Sequence, residues 1–247
     1  MQILDKKYNY NGEILTEVRA GQTGRGLLIE NDGHILTNTD TIKQIREDIS
    51  HGDKFIVPDD FIVSAVFQKY GIQNKNGRIY PEAVLKREVD NYIKEAIASH
   101  CAVGAVDHPA SLSLSGHDVS HNIIELHWEG ATLVGKMKLH VSPGFKRYGI
   151  CSTSGDLAAN MIIDGIRIGV SSRGAGNVVE KNGIYYVDDS FSLVGWDIVL
   201  EPSTPGSYID ENPENLRQFI DMRPNVEDSN MDNKLDLISK ILQSYKS

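Results

Sequence analysis

Cysteine is almost absent from this chain. Cys101 and Cys151 are the only two in 247 residues, and without a CxxC spacing they make neither a zinc site nor the disulfide framework of a small secreted domain. They are expected as two semi-buried thiols of a protein in a reducing cytoplasm. Long apolar runs are also missing. None approaches the ~20 residues needed to cross a bilayer, and the N-terminal stretch "MQILDKKYNYNGEIL" has no apolar core of the kind a signal peptide requires. Positive charge is in deficit, with 25 Lys and Arg against 34 Asp and Glu and a net charge of −9. That argues against an extended nucleic-acid-binding face, because neutralising phosphates takes clustered Lys and Arg. There is no internal repeat and no low-complexity block.

What is present is a chain that is 40% hydrophobic, enough to bury one medium-sized core. It divides into four stretches. Residues 1–53 are polar and rich in Gly, Asn and Asp, with short alternating pieces such as "GEILTEV" and "GRGLLIE", and read as weak strands of a loosely packed extension. Residues 54–208 carry the strong signals and form the main domain, residues 209–231 an acidic linker, and residues 232–247 a short amphipathic helix.

Within the main domain, "KFIVPDDFIVSAVFQKYGI" is dominated by β-branched and aromatic residues and predicts one or two buried strands. In "YPEAVLKREVDNYIKEAIAS", Pro81 suits a first helical turn, and Leu85, Val89, Tyr92, Ile93, Ala96 and Ile97 recur at helical spacing, predicting a helix over 81–99. "NIIELHWEG" with "ATLVGKMKLHV" is a hairpin pattern, "GDLAANMIIDG" a short helix, and "NVVEKNGIYYVDD" a hairpin turning at Asn182-Gly183. "FSLVGWDIVLEP" is the last core strand. Hairpins outnumber alternating strand–helix units, so the expected fold is α+β on an antiparallel sheet or barrel.

One stretch could carry covalent chemistry. In "RIGVSSRGAG" two serines stand beside an arginine and glycines. A serine nucleophile needs a neighbouring base and donors aimed at the oxyanion. Backbone N–H groups about Ser172, Arg173 and Gly174 are the expected donors, with the serines placed in a turn after a strand; an ordinary turn would read the same way. Among eight histidines, His108 in "GAVDHPAS" is the leading base, since Pro109 holds it extended and small neighbours leave access. Asp197 interrupts the apolar run from Val194 to Leu200. Such a carboxylate is costly unless paired, so it either orients an imidazole or partners an arginine. His117 and His121, with Asp118 between them and His108 upstream, offer a metal-dependent alternative by their four-residue spacing. Gly116 and the strand pattern that follows argue against the helix it needs.

"NKNGRIYP" with its helix, then "VDHPA", "GVSSRGAG" and "GWDIVLEPSTPG" occur in an order and at a spacing that resemble the prohead core protein proteases, the maturation proteases of large tailed phages. The resemblance covers residues 60–208. It implies a β-barrel wrapped by helices, of the herpesvirus-protease type. It also implies a serine endopeptidase that cuts scaffold or core proteins and capsid proteins, without metal or other cofactor, inside the prohead in the host cytoplasm. By the same resemblance Ser171 is the nucleophile, His108 the base and Asp197 the third member, although herpesvirus relatives use a second histidine, for which His121 or His140 would serve. A homo-oligomer is expected, and no direct contact with nucleic acid or membrane. The family favours cutting after a Glu with Leu or Ile two residues earlier, and residues 15–17, 28–30 and 45–47 match this rule, so the first stretch is expected to be removable. The terminal helix is expected either to dock on scaffold or to cap the domain. A catalytically silent, scaffold-binding assembly protein is the competing reading from another class.

Overall fold

The alternation of β-branched and aromatic residues in Ile62–Lys69 does produce a strand, and the structure, a computed structural model, builds its large sheet around it. The described residues are 7–36, 47, 57, 60–109 and 112–200. The expected linker and terminal helix lie outside them, as do most of the residues 37–59.

In chain order the strands are β1 (Lys7–Tyr10), β2 (Glu13–Thr16), β3 (Gly24–Leu36), β4 (Ile62–Lys69), β5 (Arg78–Ile79), β6 (Val103–Ala105), β7 (Val119–Glu129), β8 (Thr132–Leu139), β9 (Gly169–Lys181), β10 (Ile184–Val187) and β11 (Ser192–Val199). The helices are α1 (Glu82–Tyr92), extended by a π turn over Ile93–Ile97, then α2 (Pro143–Tyr148) and α3 (Ser154–Ile163). Strands β1 and β2 pair with each other. The other nine form one mainly antiparallel sheet in the order β5-β10-β9-β3-β4-β8-β7-β6, with β11 on β9. The fold is therefore mixed α+β with few helices. No ladder closes the sheet among the described residues; its far ends meet at one isolated bridge, Val106 to Ile198.

Several expectations change. Residues 24–36 are not a loose extension: β3 lies between β9 and β4, and Leu27 and Leu28 are fully buried. Pro81 is the cap before α1, extended at φ −60 and ψ 144, rather than in its first turn. Leu85, Val89 and Tyr92 are buried as the helical spacing requires, whereas Ile93, Ala96 and Ile97 fall on the π turn and are only partly covered. Cys101 and Cys151 are exposed. The turn at Asn182-Gly183 is as read, with φ 55 and 77 joining β9 to β10.

The core positions the site through Trp196. Its ring is fully buried, edge-on to Phe67 at 5.4 Å and to Tyr92 of α1 at 5.0 Å. Aromatic pairs in this geometry add about 0.5–1.5 kcal/mol each beyond area burial. The residue after it, Asp197, points to the opposite face of β11 because side chains alternate along a strand.

Candidate active site

Ser171 sits inside β9 rather than in a turn after it, and β9 is flanked on both sides. Across one ladder Asp197 pairs with Ser171, Trp196 with Ser172, and Gly195 with Arg173. Across the other, Glu30 pairs with Ser172, Ile29 with Arg173 and Leu28 with Gly174. The register thus puts Asp197 on the strand next to Ser171.

His108 arrives from outside the sheet. After β6, Val106 bridges Ile198, and the Asp107 N–H donates to the Ile198 carbonyl at 2.7 Å. Asp107 then takes a left-handed turn at φ 60, which directs the next residue back over β11. His108 Nδ1 lies 2.8 Å from Asp197 Oδ2, and His108 Nε2 lies 2.7 Å from Ser171 Oγ. An ionised carboxylate only accepts hydrogen bonds, so Nδ1 carries the hydrogen and Nε2 turns its lone pair to the serine hydroxyl. Ser171 and Asp197 are fully buried, and the His108 side chain is 19% exposed; solvent meets the site at the imidazole.

The carboxylate is built to stay charged. Asp197 Oδ1 accepts from the Ala105 N–H at 3.1 Å and from Arg173 NH2 at 3.2 Å, and Arg173 Nε donates to Oδ2. Burial alone would raise the Asp197 pKa, but the hydrogen bond from His108 and the charge of Arg173 outweigh it and hold it below the ordinary value. Arg173 is fixed in turn by donating to the Leu112 carbonyl at 3.0 Å.

The expected oxyanion wall is not as read. Arg173 spends its guanidinium on Asp197 and Leu112. The backbone of Ser172, Arg173 and Gly174 is paired in both ladders instead of forming an open loop. Gly174 is small for packing, since a Cβ there would stand 2.3 Å from the Phe191 ring. His121 is fully buried and its Nδ1 meets Ser120 Oγ at 2.9 Å, while His140 is exposed. His117 and Asp118 lie in an exposed turn before β7, and among the described residues no three metal-ligating side chains converge.

Sequence reasoning missed Asn31. Asn31 Oδ1 is a second acceptor at Ser171 Oγ, competing with His108 Nε2 for its one hydrogen, and it comes from the point in β3 where the register shifts between Glu30 and Gly33. A bulge of this kind re-aims a side chain. Beside it, buried Glu30 is held by donors from the "NKNGRIYP" stretch: Asn74 Nδ2 at 2.7 Å, Asn76 Nδ2 at 2.6 Å, Arg78 NH1 at 2.6 Å and Tyr80 OH at 3.0 Å.

A Ser-His-Asp relay on an α+β sheet is the arrangement that serine hydrolases use, and comparison supplies the family. The chain belongs to the prohead core protein serine protease family, whose model matches residues 26–217, from near the start of β3 onward. It is 30% identical over 152 residues to the prohead core protein protease of Enterobacteria phage T4, a match spanning 60% of this chain and 66%, just under two thirds, of that relative. The fold is similar to the solved bacteriophage T4 capsid assembly protease, with a TM-score of 0.56 and 24% identity over 72% of this chain and 99% of that one.

Proposed function

We propose that this chain is a serine endopeptidase that cleaves scaffold or core proteins and capsid proteins within the phage prohead. The observation that carries the reading is the continuous hydrogen-bonded path from Ser171 Oγ through His108 to Asp197. Ser171 Oγ attacks the scissile carbonyl carbon, and the carbonyl π pair moves onto its oxygen as the Ser171 proton passes to His108 Nε2. The tetrahedral intermediate collapses, the C–N bond breaks, and His108 returns that proton to the leaving amine. A water then attacks the acyl-enzyme, giving its proton to His108, and Ser171 regains a proton as the new carboxyl end departs. Asp197 holds the ring with Nδ1–H toward itself and stabilises the imidazolium formed at each step. Co-expression with candidate scaffold and capsid proteins, followed by mass spectrometry of fragment ends, tests this: cleavage is expected with the natural chain and none with Ser171→Ala. Equal cleavage by both would overturn it.

The same reading carries three narrower proposals. The sheet is the wall of a herpesvirus-protease-type barrel, supported by the approach of β6 to β11 at Val106 and Ile198; an experimental structure with those strands apart would oppose it. Self-cleavage, if the chain serves as its own substrate, falls after exposed Glu17 rather than after buried Glu30, because loss of β3 would open the core. N-terminal sequencing should then give Val18, and a new terminus at Asn31 would contradict the assignment. Finally, the protein works as a homo-oligomer inside the prohead in host cytoplasm, without touching membrane or nucleic acid. The exposed apolar side chains Tyr148, Ile150, Leu157 and Ile166 support the oligomer, the net charge of −9 agrees with no nucleic-acid contact, and no described helix is long and apolar enough to cross a membrane. A monomer at all concentrations in sedimentation would oppose the oligomer.

A further inference from the structure

We infer that the side-chain amide of Asn31 is the oxyanion donor of this site, an inference that rests on the serine-hydrolase reading above. Three observations lead there. The first is a vacancy: the backbone around Ser172, Arg173 and Gly174 is paired in both flanking ladders, and the Arg173 guanidinium is committed to Asp197 and Leu112. The donors that acyl transfer requires must come from elsewhere. The second is placement, since Asn31 is within hydrogen-bond reach of Ser171 Oγ itself. A donor beside the nucleophile reaches the oxyanion when the carbonyl oxygen settles on the Asn31 side of Oγ.

The third is hydrogen bookkeeping. A serine hydroxyl has one hydrogen and two lone pairs. In the arrangement described, Asn31 Oδ1 and His108 Nε2 both stand at Oγ as acceptors and compete for that hydrogen. Whenever the hydrogen turns to Oδ1 the site rests, because the base cannot take a proton that is turned away from it. A half-turn about the terminal torsion of Asn31 exchanges Oδ1 for Nδ2 at the same place, and such sp³–sp² torsions are soft. Nδ2–H then faces the site, and Ser171 O–H is free to point at Nε2. As the carbonyl oxygen gains charge, Nδ2–H donates to it. The backbone that carries the amide is held from behind. Asn31 lies at the β3 bulge, its carbonyl accepts from Lys75 Nζ at 3.2 Å, and Asn76 Nδ2 donates to the neighbouring Ile29 carbonyl at 2.9 Å. On the other side Gly33 packs so tightly that a Cβ would stand 2.7 Å from Val170 Cβ. The "NKNGRIYP" stretch, through Glu30 and these two bonds, is a positioning element for Asn31.

The test uses the full chain and a small fluorophosphonate, which needs no peptide recognition. Ser171 Oγ forms the O–P bond, fluoride leaves with its bonding pair, and the serine proton goes to His108, while the phosphoryl oxygen takes the place of the oxyanion. Labelling rate is read by intact mass, with thermal melting as the check on folding. Asn31→Ala and the isosteric Asn31→Asp should both label about 10²- to 10³-fold more slowly than the natural chain, with Asn31→Asp retaining the natural melting behaviour. Labelling of either folded variant at the natural rate or faster would overturn the inference, the faster outcome making Asn31 a latch only. Absence of labelling in the natural chain would instead strike the serine-hydrolase reading, and the Asn31 inference with it.

Discussion

Arg173 and Asp197 face each other across two adjacent strands as a two-point pair, Nε to Oδ2 and NH2 to Oδ1, with side chains 3% and 0% exposed. The pair explains how a carboxylate can stand in the middle of an apolar strand. It also separates two tasks that one residue performs: Asp197 is a partner for a buried arginine and the support of an imidazole.

Replacing Asp197 by Asn keeps the shape and removes the charge. The amide can present N–H to His108 Nδ1, which favours the wrong tautomer and leaves no lone pair at Nε2 for Ser171. Turnover of a cleaved substrate should fall by about 10⁴-fold, measured as kcat on protein whose secondary structure is unchanged.

Arg173→Leu leaves Asp197 buried with only His108 and the Ala105 N–H. Breaking a buried pair from one side costs about 3–5 kcal/mol, and urea unfolding near neutral pH should register a loss of that order. The same variant should be less damaged in acid, where the carboxyl is protonated.

His121 makes stability depend on pH in a defined window. Burial pushes its pKa from 6.5 down to about 4. Unfolded, it takes up a proton as pH falls through 6.5; folded, it stays neutral until about 4. The stabilisation is therefore complete above 6.5 and is lost progressively toward 4, a cost of about 2 kcal/mol between pH 7 and pH 5. Urea midpoints across that range should show the slope, and His121→Gln should flatten it whatever its baseline stability.

A chelator such as EDTA should leave cleavage unchanged, while a serine-directed acylating reagent should remove it. The reverse pattern would favour the metal-dependent alternative through His117, Asp118 and His121.

Much of the site was legible because its members break local rules. Asp197 stands out as a charge in an apolar run, and His108 as an imidazole before proline among small residues. Their meeting was less legible, since it depends on the register of β11 against β9 and on the left-handed turn at Asp107. Asn31 was invisible for a related reason. It lies in the stretch expected to be a loose extension, and only the pairing of β3 with β9 puts its bulge opposite Ser171. Strand β3 itself was underrated because Glu30 breaks its apolar alternation; the donors that satisfy that carboxylate lie more than 40 residues away, at |i−j| of 44 to 50. The serines were placed in a turn for their glycines, which serve close packing against Phe191 instead.

The central claim, that Ser171 attacks with His108 as its base, is tested most directly by locating the adduct of a fluorophosphonate. Trypsin should release the peptide Ile168–Arg173, which holds both Ser171 and Ser172, and fragment ions assign the modified hydroxyl. The label should fall on Ser171 in the natural chain and be lost in His108→Ala. A label on Ser172, or one that forms equally fast without His108, would contradict it.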